Sequence, residues 1–273
     1  MLKEFITPIK RFSQRLPHLP GRSYKRLKYL KFRNYPGLNG RIHIDDTMFV
    51  GDMAHYMSVG QSAVNNIQES LTAANLSLNS LRSILDIPSG YGRVLRVLAS
   101  KVHPEKITAC DIQKEQIEFC AKEFGCKQFL SSTDLSKIHF PENYSLIWVG
   151  SLFTHFNEKD FTDLLKLLFE SLEDNGLLII TTHGKYAVEI FEKYWGNGPV
   201  PASREELQKT LDQNNGFYFA PYPYLPSYGI SISLKEYVDS LFDGLFREKA
   251  KIVRFAERGW DNHQDVFSIQ KVK

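Results

Sequence analysis

The chain has 273 residues, of which 42% are hydrophobic and 24% charged, a balance that excludes a wholly disordered protein. At about 150 residues per domain this length allows two units, or one α/β domain with additions. The net charge of +3 is unevenly spread: residues 1–41 hold eleven Lys and Arg against Glu4 alone, which leaves 23 basic and 30 acidic residues for the remainder.

The opening residues, Met1-Leu-Lys-Glu-Phe-Ile-Thr-Pro, lack the apolar core of a secretory signal. Residues 1–45 read as a basic, aromatic arm broken by Pro8, Pro17, Pro20 and Pro36, with a short helix expected near Tyr24–Phe32. Such an arm suits nucleic acid, an anionic membrane surface or a phosphate-bearing substrate, or it packs on the acidic body. Ala63, Val64, Ile67 and Leu71 then predict a helix over Gly60–Ala74. Ser83–Pro88 reads as a strand closed by the turn Ser89-Gly-Tyr-Gly92, and Val94, Leu95, Leu98 and Val102 follow at helical spacing. Lys106–Asp111 is a predicted strand, Lys114–Phe124 an amphipathic helix and Gln128–Leu130 a short strand. Tyr144–Gly150 is a buried strand, Glu158–Leu172 a helix capped by Asn157, and Gly176–Thr182 another strand. Strands alternating with helices predict a parallel sheet built from right-handed crossovers.

From His183 to Ala250 that rhythm is lost among prolines and tyrosines, with helices expected near Ser203–Leu211 and Leu234–Phe242. Lys251–Glu257 and Val266–Lys271 are strands whose connection is too short for a crossover, so they form an antiparallel hairpin. Four units are expected: the arm over 1–45, a core over 46–183, an insertion over 184–250, and a terminal hairpin over 251–273 that completes the core sheet. The longest nearly uncharged apolar stretch, Tyr144–Phe156, contains Ser151, Thr154 and His155, so no spanning helix of about 18 residues is expected. Cys110, Cys120 and Cys126 are odd in number and lack ligand spacing, which predicts a cytoplasmic, reducing location and no metal centre.

Asp86-Ile-Pro88-Ser-Gly90-Tyr-Gly92 sits between a strand and a helix. Glycine lets the chain turn sharply and lets a ligand approach the backbone. Asp111 ends the next strand, where a carboxylate accepts hydrogen bonds from both hydroxyls of a ribose. A nicotinamide dinucleotide favours a third glycine where this chain has Leu95. S-adenosylmethionine carries no phosphate and tolerates Leu95. A tight turn that binds nothing is the bland alternative.

These segments resemble class I S-adenosylmethionine-dependent methyltransferases. Ile84-Leu-Asp-Ile-Pro-Ser-Gly-Tyr-Gly-Arg-Val resembles the family's first motif, and Ile107-Thr-Ala-Cys-Asp111 its second strand with the ribose-binding acid. Tyr144-Ser-Leu-Ile-Trp-Val-Gly-Ser-Leu-Phe-Thr-His155 resembles the fourth strand with its active-site loop. Leu172-Glu-Asp-Asn-Gly-Leu-Leu-Ile-Ile resembles the fifth strand and the turn before it. His55-Tyr-Met-Ser-Val-Gly60, Thr181-Thr-His-Gly184, Tyr228-Gly-Ile and Gly259-Trp-Asp-Asn-His-Gln-Asp265 extend the likeness to bacterial enzymes of surface-glycan or secondary-metabolite pathways. The resemblance implies a Rossmann-like fold: a mostly parallel seven-stranded sheet with a C-terminal antiparallel hairpin. It implies S-adenosylmethionine as cofactor and a small-molecule acceptor, with a hydroxyl of a sugar or glycan-linked compound as the expected methyl-accepting group. The third strand departs from the family pattern, because Ser131-Ser-Thr-Asp-Leu135 stands where an acid and a small residue usually hold adenine.

In this picture Gly90 and Gly92 border the methionine end, with Tyr56 and Gly60 closing over it, and Asp86, Pro88, Gly150 and Ser151 also line the cofactor. Asp111 takes the ribose, Ile112 and Leu135 pack on adenine, and Ser132, Thr133 or Asp134 contacts it. Methylation of a hydroxyl is helped by a base that is neutral near pH 7, and histidine is the usual choice. His155 and His183 follow the fourth and fifth strands, at the carboxyl ends where ligands bind in open sheets. His263 lies between the last two strands and reaches the same place only if the hairpin folds back toward it. The insertion, with its tyrosines and prolines, is the expected acceptor lid. The competing expectations are an RNA or protein methyltransferase that uses the basic arm, and a non-catalytic binding protein of the same fold.

Overall fold

The computed structural model describes residues 29–31, 37–191, 203–223 and 225–272. Most of the basic arm, and most of the helix expected near Tyr24–Phe32, lies outside the described residues. Within that stretch Tyr29–Lys31 (β1) is a strand, paired antiparallel with Arg41–His43 (β2). Helix α1 (Met53–Ala73) follows, then β3 (Ile84–Ile87), α2 (Leu95–Leu98), β4 (Ile107–Asp111), α3 (Lys114–Phe124) and β5 (Lys127–Leu130). The chain continues through β6 (Tyr144–Val149), α4 (Glu158–Glu170), β7 (Leu172–Thr182), α5 (Lys185–Glu189) and α6 (Arg204–Gln213). A separate hairpin, β8 (Phe217–Tyr222) and β9 (Leu225–Ser233), precedes α7 (Lys235–Phe246), β10 (Ala250–Trp260) and β11 (Gln264–Lys271).

The seven-stranded sheet has the order β10-β11-β7-β6-β3-β4-β5. Strands β3 to β7 are mutually parallel, and β11 runs antiparallel to both β7 and β10. This is the mixed, Rossmann-like sheet with the terminal hairpin that the sequence predicts. Strand β3 has β4 on one side and β6 on the other, so the winding reverses there. A crevice opens beyond the carboxyl ends of the strands at such a point.

Period-two alternation splits the core into two layers. Leu146 and Trp148 of β6 join the layer under α1, with Ala63, Val64, Ile67 and Leu71. Ile147 and Val149 join the opposite layer under α4 and α7, with Phe161, Leu164, Val238 and Phe242. The insertion has a small core of its own, in which Ala187, Leu207, Leu211, Tyr218 and Ile232 meet, whereas α7 packs on the main sheet. The three cysteines are free and buried. Among the described residues no helix is long and apolar enough to cross a membrane.

Several boundaries differ from the sequence reading for identifiable reasons. Helix α1 starts at Met53 rather than Gly60, because the Asp52 carboxylate caps it by accepting from His55 N at 3.1 Å. Helix α4 stops at Glu170 instead of Leu172, and β7 starts at Leu172 instead of Gly176. The pair Tyr144↔Leu172 precedes a register shift to Leu146↔Leu177, so the expected turn is an irregularity inside a longer strand. The long connection to Ala250, read as helices alone, also contains the β8–β9 hairpin.

Candidate active site

The turn after β3 is held at a fixed shape. Gly90 and Gly92 have φ of +52° and +76°, and the Ile87–Pro88 peptide is cis. Arg96 of α2, 1% exposed, donates to the carbonyls of Gly92 (3.1 Å) and Tyr91 (3.2 Å) on this turn. Its other amine donates to the carbonyls of Asn39 (2.6 Å) and Arg41 (3.1 Å). One guanidinium thus ties the glycine turn to the end of the N-terminal arm, where Arg41 also pairs with Glu123 at 3.0 Å. Tyr56 is buried beside it and donates to Asp46 at 2.6 Å, while Arg96 lies over its ring.

Asp111 ends β4, and Asp86 lies one residue before the end of the neighbouring β3. Asp111 accepts from Gly90 N at 3.0 Å and from Gln113 N at 3.1 Å, and the Gln116 amide donates to both its oxygens at 2.9 and 3.0 Å. Asp86 is 1% exposed and its Oδ2 has no partner. Burial first, and the Asp111 charge second, push the Asp86 carboxyl up to about 8. Burial also raises Asp111, against the opposing pull of its backbone donors.

Ile112 beyond β4 is 54% exposed, an apolar side chain presented to open space. Leu135 is half-buried nearby in sequence to Ser132, whose hydroxyl accepts from Asp134 N at 3.0 Å. Asp134 is exposed and caps its own turn, accepting from Ser136 and pairing with Lys137 at 3.1 Å.

A second group of side chains gathers at the ends of β6 and β7. Ser151 takes φ +63° just after β6 and donates from its amide to Thr181 Oγ1 at 2.7 Å. Thr181 donates on to Gln264, and the Gln264 amide donates back to the Ser151 hydroxyl at 2.9 Å. Because Asp265 pairs with Thr182 in the sheet, the β10–β11 turn folds back to the carboxyl end of β7 and brings His263 with it. The His263 ring lies edge-on to His183 at 5.6 Å.

Strand β9 laces this end together. Gly229 N donates to His155 O (2.9 Å), Ser231 N to Thr154 O (2.9 Å) and Ser233 N to His183 O (2.8 Å). In return the Gly229 carbonyl takes His155 Nδ1 at 2.8 Å and the Ser231 carbonyl takes His183 Nδ1 at 3.1 Å. A carbonyl oxygen only accepts, so each ring carries its proton on Nδ1 and keeps a lone pair on Nε2. The His155 ring stacks on Tyr228 at 4.9 Å, and Tyr222 lies 6.2 Å away. Burial lowers the proton affinity of His155 and His263. It pushes His183 down to about 3, with help from the neighbouring His263 and His155.

Known proteins match this arrangement. Residues 84–176, the stretch from β3 into β7, fit a methyltransferase domain. The fold is that of the class I S-adenosylmethionine-dependent methyltransferases. A malonyl-[acyl-carrier protein] O-methyltransferase from Acetivibrio thermocellus is 26% identical over 130 residues, 47% of this chain. The chain thus spans about half of that curated relative, 44% of its length. The plantazolicin methyltransferase BpumL, solved with S-adenosylhomocysteine, shares the fold at TM-score 0.53 and 16% identity, over 80% of this chain and 85% of its own. A methyltransferase from Clostridium acetobutylicum gives TM-score 0.54 at 13% identity, over 84% of this chain and 96% of its own.

The residues present fit the methyltransferase cofactor. A Cβ on Gly90 would meet nothing within 4 Å, so bare backbone borders open space there. The Gly90 amide donates to Asp111 at 3.0 Å, so that space adjoins the Asp111 carboxylate. Other expected site residues stand elsewhere. A Cβ on Gly60 would lie 2.3 Å from Arg93 O, so this glycine lets α1 touch the turn instead of lining open space. Gly92 is filled in by Phe124 and Cys120, and Gly150 by Trp148 and Trp260.

Sequence reading gave no role to Arg93 and Gln264, although both lie within quoted motifs, or to Arg96 and Arg258. Arg93 lies over the rings of Tyr56 and Trp260, at 6.0 and 5.7 Å. His43, Asp45 and Glu115 also meet, with potential ligand atoms within 4.8 Å, a grouping invisible in the sequence because Glu115 lies far from the other two. His43 Nδ1 there accepts from Asp45 N at 3.2 Å, and Glu115 approaches its other nitrogen at 3.6 Å.

Proposed function

We propose that the protein transfers a methyl group from S-adenosylmethionine to an oxygen of a small-molecule acceptor, in the finer reading a hydroxyl of a sugar or glycan-linked compound. The observation that carries this is the pairing of two sites at one sheet end: an open glycine turn beside the Asp111 carboxylate, and the half-buried His155, whose Nδ1 is committed to the Gly229 carbonyl. Asp111 would take the ribose hydroxyls, Gly90 and Asp86 the amino-acid tail, and Ile112 and Leu135 the adenine. Arg93 would supply a counter-charge for the tail's carboxylate. The bound cofactor supplies an electrophilic methyl group.

The chain's own part is to hold the acceptor, exclude water and remove a proton. His155 Nε2 would take the acceptor's proton, because Gly229 commits Nδ1 as a donor and the ring stays neutral near pH 7. His183, with its affinity pushed down to about 3, is the weaker base and better suited to accepting a hydrogen bond. Tyr222 and Tyr228 would form the wall on which a ring lies. The acceptors named for proteins of this fold differ widely, and the curated relative is an O-methyltransferase, which favours oxygen over other atoms.

The reading is tested by calorimetric titration with S-adenosylhomocysteine. Wild-type protein should bind it, and Asp111→Ala should weaken binding at least tenfold while circular dichroism stays unchanged. Equal affinity in both would remove the ribose role.

A further inference from the structure

We propose that Arg258 forms an oxyanion subsite in the acceptor pocket, so that the acceptor carries a carboxylate or phosphate group in addition to the oxygen that is methylated. This rests on the methyltransferase reading above and adds a substrate class to it.

Arg258 lies where pairing of β10 with β11 breaks between Ala256 and Trp260. Its φ is +52°, a conformation uncommon for a residue with a side chain. Irregularities of this kind re-aim side chains and recur beside active sites. Two contacts fix this one. Arg258 N donates to Asp265 Oδ1 at 2.8 Å, and Arg258 Nε donates to Asn262 O at 3.1 Å. Asp265 in turn fills a notch at Gly184, where a Cβ would stand 1.8 Å from its Oδ2. Gly184, Asp265 and the irregular strand therefore cooperate to place one side chain.

That side chain is linked to the histidines through one tyrosine. The guanidinium stacks over Tyr186 at 3.7 Å from the ring centre. Tyr186 is edge-on to His263 at 5.8 Å, and His263 is edge-on to His183 at 5.6 Å. Among the described residues neither Nη nitrogen of Arg258 has a hydrogen-bond or ion-pair partner. Two neighbouring acids are committed elsewhere: Asp265 to the Arg258 amide, and Asp261 to His55 at 3.7 Å. Stacking fixes the plane of the guanidinium, and Nε is taken. The two Nη groups remain as a flat pair of donors, the geometry that matches a carboxylate or phosphate. An acceptor gripped there and laid against Tyr222 and Tyr228 would be held at two points, with a third part of it near His155.

The experiment uses the full chain saturated with S-adenosylhomocysteine, titrated calorimetrically with inorganic phosphate and, separately, with malonate. Wild type should bind one of the two at least tenfold more tightly than Arg258→Gln, and Arg258→Lys should fall between them because it keeps the charge without the fork. Lys251→Gln, an exposed change on the same strand, should match wild type. Preference for phosphate assigns a phosphorylated acceptor, and preference for malonate a carboxylated one. Binding of neither anion by wild type, or equal binding by Arg258→Gln, overturns the subsite and leaves the methyltransferase reading standing. Should Arg258→Gln lose its fold, as circular dichroism would reveal, the lysine variant decides alone. No uptake of S-adenosylhomocysteine by wild type would instead bring down the methyltransferase reading and the subsite with it.

Discussion

Asp86 is the side chain whose sequence position and physical state differ most. Its place in the glycine motif suggests a carboxylate, yet complete burial beside Asp111 pushes it from 3.8 up to about 8. Between those values the folded protein holds a proton that the unfolded chain releases, so this group makes stability fall as pH rises from about 4 to about 8. Asp86→Asn removes the titration while keeping the shape. Its melting temperature should exceed that of wild type by about 5 °C or more at pH 8, and by much less at pH 4.5. Parallel pH profiles for the two proteins would contradict this assignment. His183 works in the opposite direction, since its lowered affinity costs stability as pH falls below about 6.5. It is present in both proteins and cancels in the comparison.

The histidines show how far residue identity carries. His155 and His183 are legible as candidates because they follow strands of a parallel sheet. Their tautomers are not, because the carbonyls that select them belong to β9, more than forty residues further along.

Packing between elements explains several glycines that a motif search assigns to ligand binding. Helix α1 crosses the turn after β3 so closely that Gly60 has no room for a methyl group. The contact is with backbone, which cannot rotate away. Gly60→Ala should therefore destabilise the protein by about 1–2 kcal/mol, even though alanine is the better helix former. Urea unfolding measures this, and a midpoint at or above that of wild type would return Gly60 to the cofactor wall. The sheet itself was readable from alternation and turn signals, strand by strand. The β8–β9 hairpin escaped because Pro221, Pro223 and Pro226 mask its pattern, and because β9 is stabilised by the loops it touches as well as by β8.

For the molecule as a whole, the end of the N-terminal arm is part of the cofactor turn's support. In the sequence, residues 1–41 stand apart from every cofactor motif. In the folded protein the carbonyls of Asn39 and Arg41 solvate the buried guanidinium of Arg96, which also holds the glycine turn. Removing residues 1–41 leaves that charge short of acceptors, at a cost of about 3–5 kcal/mol. The truncated chain should unfold at lower urea and bind S-adenosylhomocysteine at least tenfold more weakly. Unchanged affinity and stability would show that water replaces those carbonyls without loss.

Strand and helix order along the chain and the placement of Asp111 follow from local patterns, because each depends on residues within one β–α unit, whereas the reversal of winding at β3 depends on where β6 docks. The convergence of His155, His183 and His263, the tautomers of the first two and the aim of Arg258 follow from contacts between distant segments. No spacing rule encodes them, since hydrogen bonds to main-chain carbonyls leave no mark on residue type at the accepting position.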